Sequence, residues 1–215
     1  MGLKLLSVFA CLSFLLCGCA GGRHVIGYDI IKPPLAPPDM GKVSISVFDD
    51  QRPRQEREGT KGKLLNFSSR DSHFSKKVPE AIVEALSAEL NNVGFSVVEE
   101  SNTPDYSISG SVKHFQAIMA PAKITFLPYL GVVSTIWAKD DFTLALSIYI
   151  KMSDRQGKII IDKTFDVSED MKLPTGLLSL ARYSHGFNHK LKLLDEALKD
   201  IIGQIRDQVI IQVEK

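Results

Sequence analysis

The groups in this 215-residue chain best suited to chemistry are five histidines, three cysteines and 25 carboxylates. His185 and His189 stand four apart, a spacing that lets two imidazoles share a metal on one helix. Gly186 sits between them and Asn188 reads as a helix cap, so they are expected as solvated loop histidines, with no metal bound. Asp49 and Asp50 are adjacent at the end of an alternating strand, where successive side chains point to opposite faces, so they do not form an acid/base pair. Asp50 precedes Arg52 by two residues, which suits a turn whose carboxylate accepts a backbone N–H. Arg52, Arg54 and Arg57 of "RPRQER" read as an ordinary solvated charged loop, the alternative being a partner-facing arginine. No Gly-x-Ser-x-Gly elbow, phosphate-binding glycine loop or His-Glu-x-x-His helix occurs. The expectation is a protein without catalysis and without a cofactor.

The cysteines carry the clearest signal. Lys4 precedes an apolar run, Leu5 to Cys17, of about 13 residues, short of the roughly 20 that span a bilayer. It has the form of a secretory signal peptide. Leu16-Cys17-Gly18-Cys19 follows and resembles the lipobox of bacterial lipoproteins. That resemblance implies a diacylglyceryl group on the Cys19 thiol, cleavage after Gly18 and acylation of the new amino terminus. Several acyl chains make a lasting anchor where one binds only marginally. Ala20, where inner-membrane lipoproteins often carry Asp, implies sorting to the outer membrane with the domain facing the periplasm. Cys11 and Cys17 leave with the signal peptide, so the mature chain keeps no thiol for a disulfide or a nucleophile.

Processing at residue 18 leaves 197 residues, enough for one domain with a full core. The mature chain balances 25 basic against 25 acidic residues, which gives no reason to expect a nucleic-acid partner. Residues 19–41 read as the lipidated cysteine and a tether. "KPPLAPPDMG" holds four prolines in ten residues and should be extended. "VIGYDII", Val25 to Ile31, is apolar enough to pack along the domain as an arm instead.

The domain is expected over residues 42–215. In "KVSISVFDD", Val43, Ile45 and Val47 share one face of a strand and Ser44 and Ser46 the other. Val78, Ile82, Leu86, Leu90 and Val93 trace an amphipathic helix, with Pro79 in its first turn and Gly94 at its cap. "FSVVEE", "YSISGSVKHFQAI", "DFTLALSIYIKMSD" and "KIIIDKTFDVSE" read as strands, the last two joined at "RQG". Leu191, Leu194, Leu198, Ile201, Ile202, Ile205, Val209 and Val213 mark a long C-terminal helix, with Asn188 as its N-cap. These elements predict a two-layer α+β domain. Its sheet has about five or six mostly antiparallel strands, and both helices lie on one face.

The strand ending in "DDQRP", the helix running into "LNNVGFSVVEE" and the strand "PDYSISGSVKHF" resemble the YajG-like family of bacterial lipoproteins. A wider resemblance extends to auxiliary lipoproteins of ABC-type lipid transport systems. The first implies a membrane-anchored periplasmic domain of unsettled function; the second implies a role beside a lipid-moving complex. With no catalytic constellation in the sequence, the expected role is binding or scaffolding at the envelope. "ITFLPYLGVVSTIW", Ile124 to Trp137, contains no charge. It reads either as buried strands around Pro128 or as an apolar lip. In the second case Phe126, Leu127, Tyr129, Leu130, Ile136 and Trp137 would touch phospholipid or an envelope partner.

Overall fold

The computed structural model describes residues 23–28, 39–59, 67–120, 139–174 and 183–214. Cys19 and the stretch from Ile124 to Trp137 lie outside the described residues. Among the described residues seven strands form one mixed sheet: β1 (Gly41–Ile45), β2 (Asp49–Asp50), β3 (Phe67–Ser68), β4 (Phe95–Val98), β5 (Tyr106–Ala120), β6 (Lys139–Asp154) and β7 (Ile159–Pro174). Among the described residues three α-helices accompany them: α1 (Arg54–Glu58), α2 (Val78–Asn92) and α3 (Tyr183–Val213). The sheet order is β4-β1-β5-β6-β7, with β2 and β3 paired to β5. The domain is α+β, and β5, β6 and β7 make it mostly antiparallel.

β1 runs parallel to both β4 and β5. Parallel neighbours need a crossover rather than a hairpin, and α2 supplies it between β1 and β4. Pro79 sits in the first turn of α2, where its missing N–H costs nothing. Gly94 takes φ 104° just past the other end, a conformation that L side chains avoid. Val78, Ile82, Leu86 and Leu90 are fully buried, as are Leu191, Leu194, Leu198, Ile201, Ile202, Ile205 and Val209 of α3. Both stripes pack on the same sheet face, against Ile148, Ile150 and Met152 of β6 among others.

β5 alternates in two phases. Ile108 and Val112 face the core, and then Phe115, Ala117 and Met119 do. The pairing with β6 slips between Val112 and His114, a β-bulge that absorbs the extra residue and keeps both apolar runs on one face. At the far hairpin the Asp154 carboxylate accepts the backbone N–H groups of Gln156 and Lys158, and Gly157 adopts φ 80°.

Two expectations need correction. β1 ends at Ile45, Val47 is 79% exposed, and Phe48 takes the inward place. The chain changes phase where it leaves β1 for β2, and an aromatic ring buries more apolar area than valine. The Phe48 ring lies over Gly110, where an added Cβ would come within 2.9 Å of it and 2.5 Å of the Tyr149 carbonyl. Gly110→Ala should therefore destabilise the domain by about 1–3 kcal/mol, the usual range for overpacking. Chemical denaturation would show it, and an unchanged midpoint would refute it. Asn188 is not the N-cap of the last helix, because the backbone is already helical from Tyr183. Gly186 costs a helix only about 1 kcal/mol, which the anchored apolar stripe downstream offsets. His185 and His189 therefore stand on helical rather than loop backbone.

Candidate functional site

Two clusters of polar side chains flank the start of α2. The first is a latch built on β2. The Asp50 Oδ1 accepts the Arg52 backbone N–H at 3.3 Å and its Nε–H at 2.8 Å. Arg52 Nη2 donates to Asp50 Oδ2 at 2.8 Å and to Asp71 Oδ1 at 2.9 Å. The Arg52 side chain is only 1% exposed, and its Nη1 is buried with no hydrogen-bond partner among the described residues. This corrects the solvated-loop expectation for Arg52, whereas Arg54 and Arg57 are exposed. Asp50 makes the turn with its own neighbour and also neutralises a buried guanidinium, a bidentate use to which arginine is suited.

Glu56 of α1 is buried in the same stretch. It accepts from His114 Nδ1 at 2.6 Å and from the Phe115 backbone N–H at 3.3 Å. It thereby ties α1 to the β5 bulge. The sequence reading missed Arg52 and Glu56 as interior groups because their neighbours, Arg54, Arg57 and Glu58, are wet. No local pattern marks either one, since Arg52 precedes the helix and Glu56 lies within it.

Burial pushes the Asp50 carboxyl up, but the hydrogen bonds and charge of Arg52 outweigh it and hold the group below its ordinary range. A carboxyl depressed on folding contributes stability that is complete above its unfolded pKa, about 4, and lost as pH falls. Asp195 behaves oppositely: burial raises it, and the contacts from His24 and Gly27 offset this only in part. Its contribution is complete below about pH 4 and is lost as pH rises through the elevated folded value. Denaturation midpoints should therefore fall between about pH 4 and pH 2 in the native protein and fall less in Asp50→Asn. Equal acid slopes would contradict the latch.

The second cluster docks an N-terminal arm, residues 23–28. The His24 backbone N–H donates to the His73 carbonyl at 2.6 Å, and its carbonyl accepts the Ser75 N–H at 2.9 Å. His24 Nε2 lies 3.1 Å from both carboxylate oxygens of Asp195 on α3. The His24 ring meets Phe74 edge-on, and Phe74 meets Phe115 of β5 in the same way. Ile26 and Tyr28 pack against the core, while Val25 is exposed. The Tyr28 hydroxyl is buried beside Glu89 of α2 and Arg206 of α3. Burial first, then the Glu89 carboxylate, raise its pKa. Glu89 is fully buried and accepts from Arg206 Nη1 at 3.1 Å. The arm thus follows both helices from Asp195 to Arg206. A cavity of about 270 Å³ lies beside it, bordered by Val25, Ile26, Tyr28, Lys76, Glu84 and Ala88.

The opposite sheet face is polar. Ser44 donates to Ser107, Lys113 to Thr164, and Ser147 to Asp166. A shallow depression of about 330 Å³ there is lined by Gln51, Ser109, Gly110, Ser111, Lys113 and Tyr149. Among the described residues, no group of three or more His, Cys, Asp or Glu is placed to hold a metal. Among them, no helix is long and apolar enough to cross a membrane.

The fold is shared with protein XCC0632 from Xanthomonas campestris, of the DUF330 family. That likeness has a TM-score of 0.51 at 10% identity and covers 90% of this chain and 99% of the other. Looser similarity reaches two lipoproteins. Uncharacterized lipoprotein B from Nitrosomonas europaea has a TM-score of 0.43 at 13% identity, covering 87% of this chain and 96% of that one. Lipoprotein GNA1162 from Neisseria meningitidis has a TM-score of 0.34 at 11% identity, covering 72% and 99%. No known family and no curated protein matches the sequence.

Proposed function

We propose that this chain is a membrane-anchored bacterial lipoprotein, akin to the YajG-like proteins, whose periplasmic domain binds or scaffolds an envelope partner without catalysing a reaction. The lipobox-like Leu16-Cys17-Gly18-Cys19 supports the anchor, and Ala20 supports the outer membrane. The observation that carries the reading is the short interval between Cys19 and the docked His24, five residues later. An address and a folded body are joined there almost directly.

Cys19→Ala tests it. The native chain should sediment with membranes and take up labelled fatty acid. The variant should lose the label entirely and appear in the soluble periplasmic fraction. A variant that keeps its label would refute the anchor.

A second reading assigns direct contact with phospholipid, as in an auxiliary lipoprotein of an ABC-type lipid transport system. One feature favours it. β5 ends at Ala120 and β6 begins at Lys139. The uncharged run between them in sequence supplies Phe126, Leu127, Tyr129, Leu130, Ile136 and Trp137 as the groups that would touch lipid. Native mass spectrometry of residues 20–215 should then show phospholipid at near one per chain, lost in Trp137→Ser. A lipid-free mass would leave the scaffold reading.

A further inference from the structure

We propose that the docked arm sets the orientation of the domain on the membrane, holding the His24 end of the sheet against the lipid bilayer and the Asp154–Lys158 hairpin away from it. This rests on the lipid anchor at Cys19.

The argument is one of chain length. Five residues from Cys19 to His24 reach at most about 17 Å when fully extended. His24 itself is held by two backbone hydrogen bonds, a carboxylate on α3 and an aromatic contact, so the free tether ends there. Were the arm not docked, the tether would run to Gly41 at the start of β1, with a reach of about 70 Å. The prolines would keep that longer tether extended. Docking removes most of this length.

The end that is held down follows from the registers. His24 bridges to Phe74, which stacks edge-on with Phe115, late in β5. Tyr106, at the start of β5, pairs with Asp154 at the far hairpin. Nine residues of β5 separate Phe115 from Tyr106, which spans about 30 Å. The hairpin therefore stands roughly that far from the level at which the arm is held. Arg23, Arg70, Lys77 and Lys192 are exposed around the lower end, but Asp71, Glu80 and Glu196 are interspersed. The orientation comes from the covalent tether rather than from charge, so it should be insensitive to salt.

The test uses the full chain, acylated in a lipoprotein-processing bacterium and reconstituted in phosphatidylethanolamine/phosphatidylglycerol vesicles with acceptor-labelled headgroups. A donor dye is placed on Lys77→Cys, two residues past Ser75, or on Gln156→Cys in the hairpin. Intact mass and flotation come first. A chain without lipid, or one that does not float, overturns the anchor and the orientation with it. For the anchored chain, energy transfer from position 77 should exceed that from position 156 at least threefold, at low and at high salt. Inserting ten Gly/Ser residues between Gly21 and Gly22 leaves the arm and its contacts in place. It should lower transfer at position 77 and narrow the difference. Equal transfer from the two positions, or no response to the insertion, would overturn the orientation while leaving the anchor intact.

Discussion

Arg206→Ala should lower the stability of the domain by about 3 kcal/mol. Glu89 is 0% exposed and Arg206 16% exposed, so the pair is a buried carboxylate with a partner that reaches solvent. Removing Arg206 takes the opposite charge away from a carboxylate that water cannot reach, and breaking such pairs typically costs 3–5 kcal/mol. The low end applies here, because the Tyr28 hydroxyl beside Glu89 can still help to stabilise the carboxylate. Removing both charges is a different experiment. Glu89→Leu with Arg206→Met should recover most of the loss, since apolar groups of similar volume often replace buried pairs at little cost. Urea denaturation of the two variants decides the matter. A double variant no more stable than Arg206→Ala would show that the charge was not the cause. Because Tyr28 belongs to the arm, Arg206→Ala should also loosen residues 23–28, visible as faster amide exchange at His24.

Arg52→Ala should cost less, about 2 kcal/mol. The guanidinium is almost wholly buried, but its partners Asp50 and Asp71 are 26% and 47% exposed. They can rehydrate when it leaves, so the loss comes from the hydrogen bonds and the packing of the arginine stem rather than from a stranded charge. Arg52→Lys should recover less than half. A single ammonium cannot reproduce the bidentate fork to Asp50 while also reaching Asp71. A lysine variant as stable as the native protein would show that only the charge matters. Asp50→Asn should be more damaging than Asp71→Asn, because Asp50 supplies two side-chain contacts and the backbone turn against one.

These two clusters mark where sequence reasoning reached and where it stopped. The periodicity of Val78, Ile82, Leu86 and Leu90, and of Leu191 to Val209, located both helices and their buried faces. Long apolar alternation located β6, whose Phe142, Leu144, Leu146, Ile148, Ile150 and Met152 are all interior. The parallel pairing of β1 with β4 and β5 was not legible, since local pattern carries no information on which strands become neighbours. Val47 was placed with Val43 and Ile45 because the alternation runs two residues past the end of the strand. Asn188 was read as the N-cap, but the helix already runs from Tyr183.

Within the candidate site, the turn at Asp50 and Arg52 could be read from its two-residue spacing. The burial of Arg52 could not, because its second acceptor is Asp71, 19 residues away. The docked arm was one of two readings of "VIGYDII". The structure places Ile26 and Tyr28 against the core, and the decisive partners, Asp195 and Arg206, lie more than 170 positions along the chain. Contacts at that separation depend on the finished fold, and no local pattern announces them.

Attachment to a membrane through Cys19 is read from the intact mass of the protein extracted from bacterial membranes. That mass should be of a chain that begins at Cys19 and carries a diacylglyceryl group and an amide-linked acyl chain. A mass equal to the unprocessed 215 residues, or to a chain cut elsewhere and free of lipid, would contradict it.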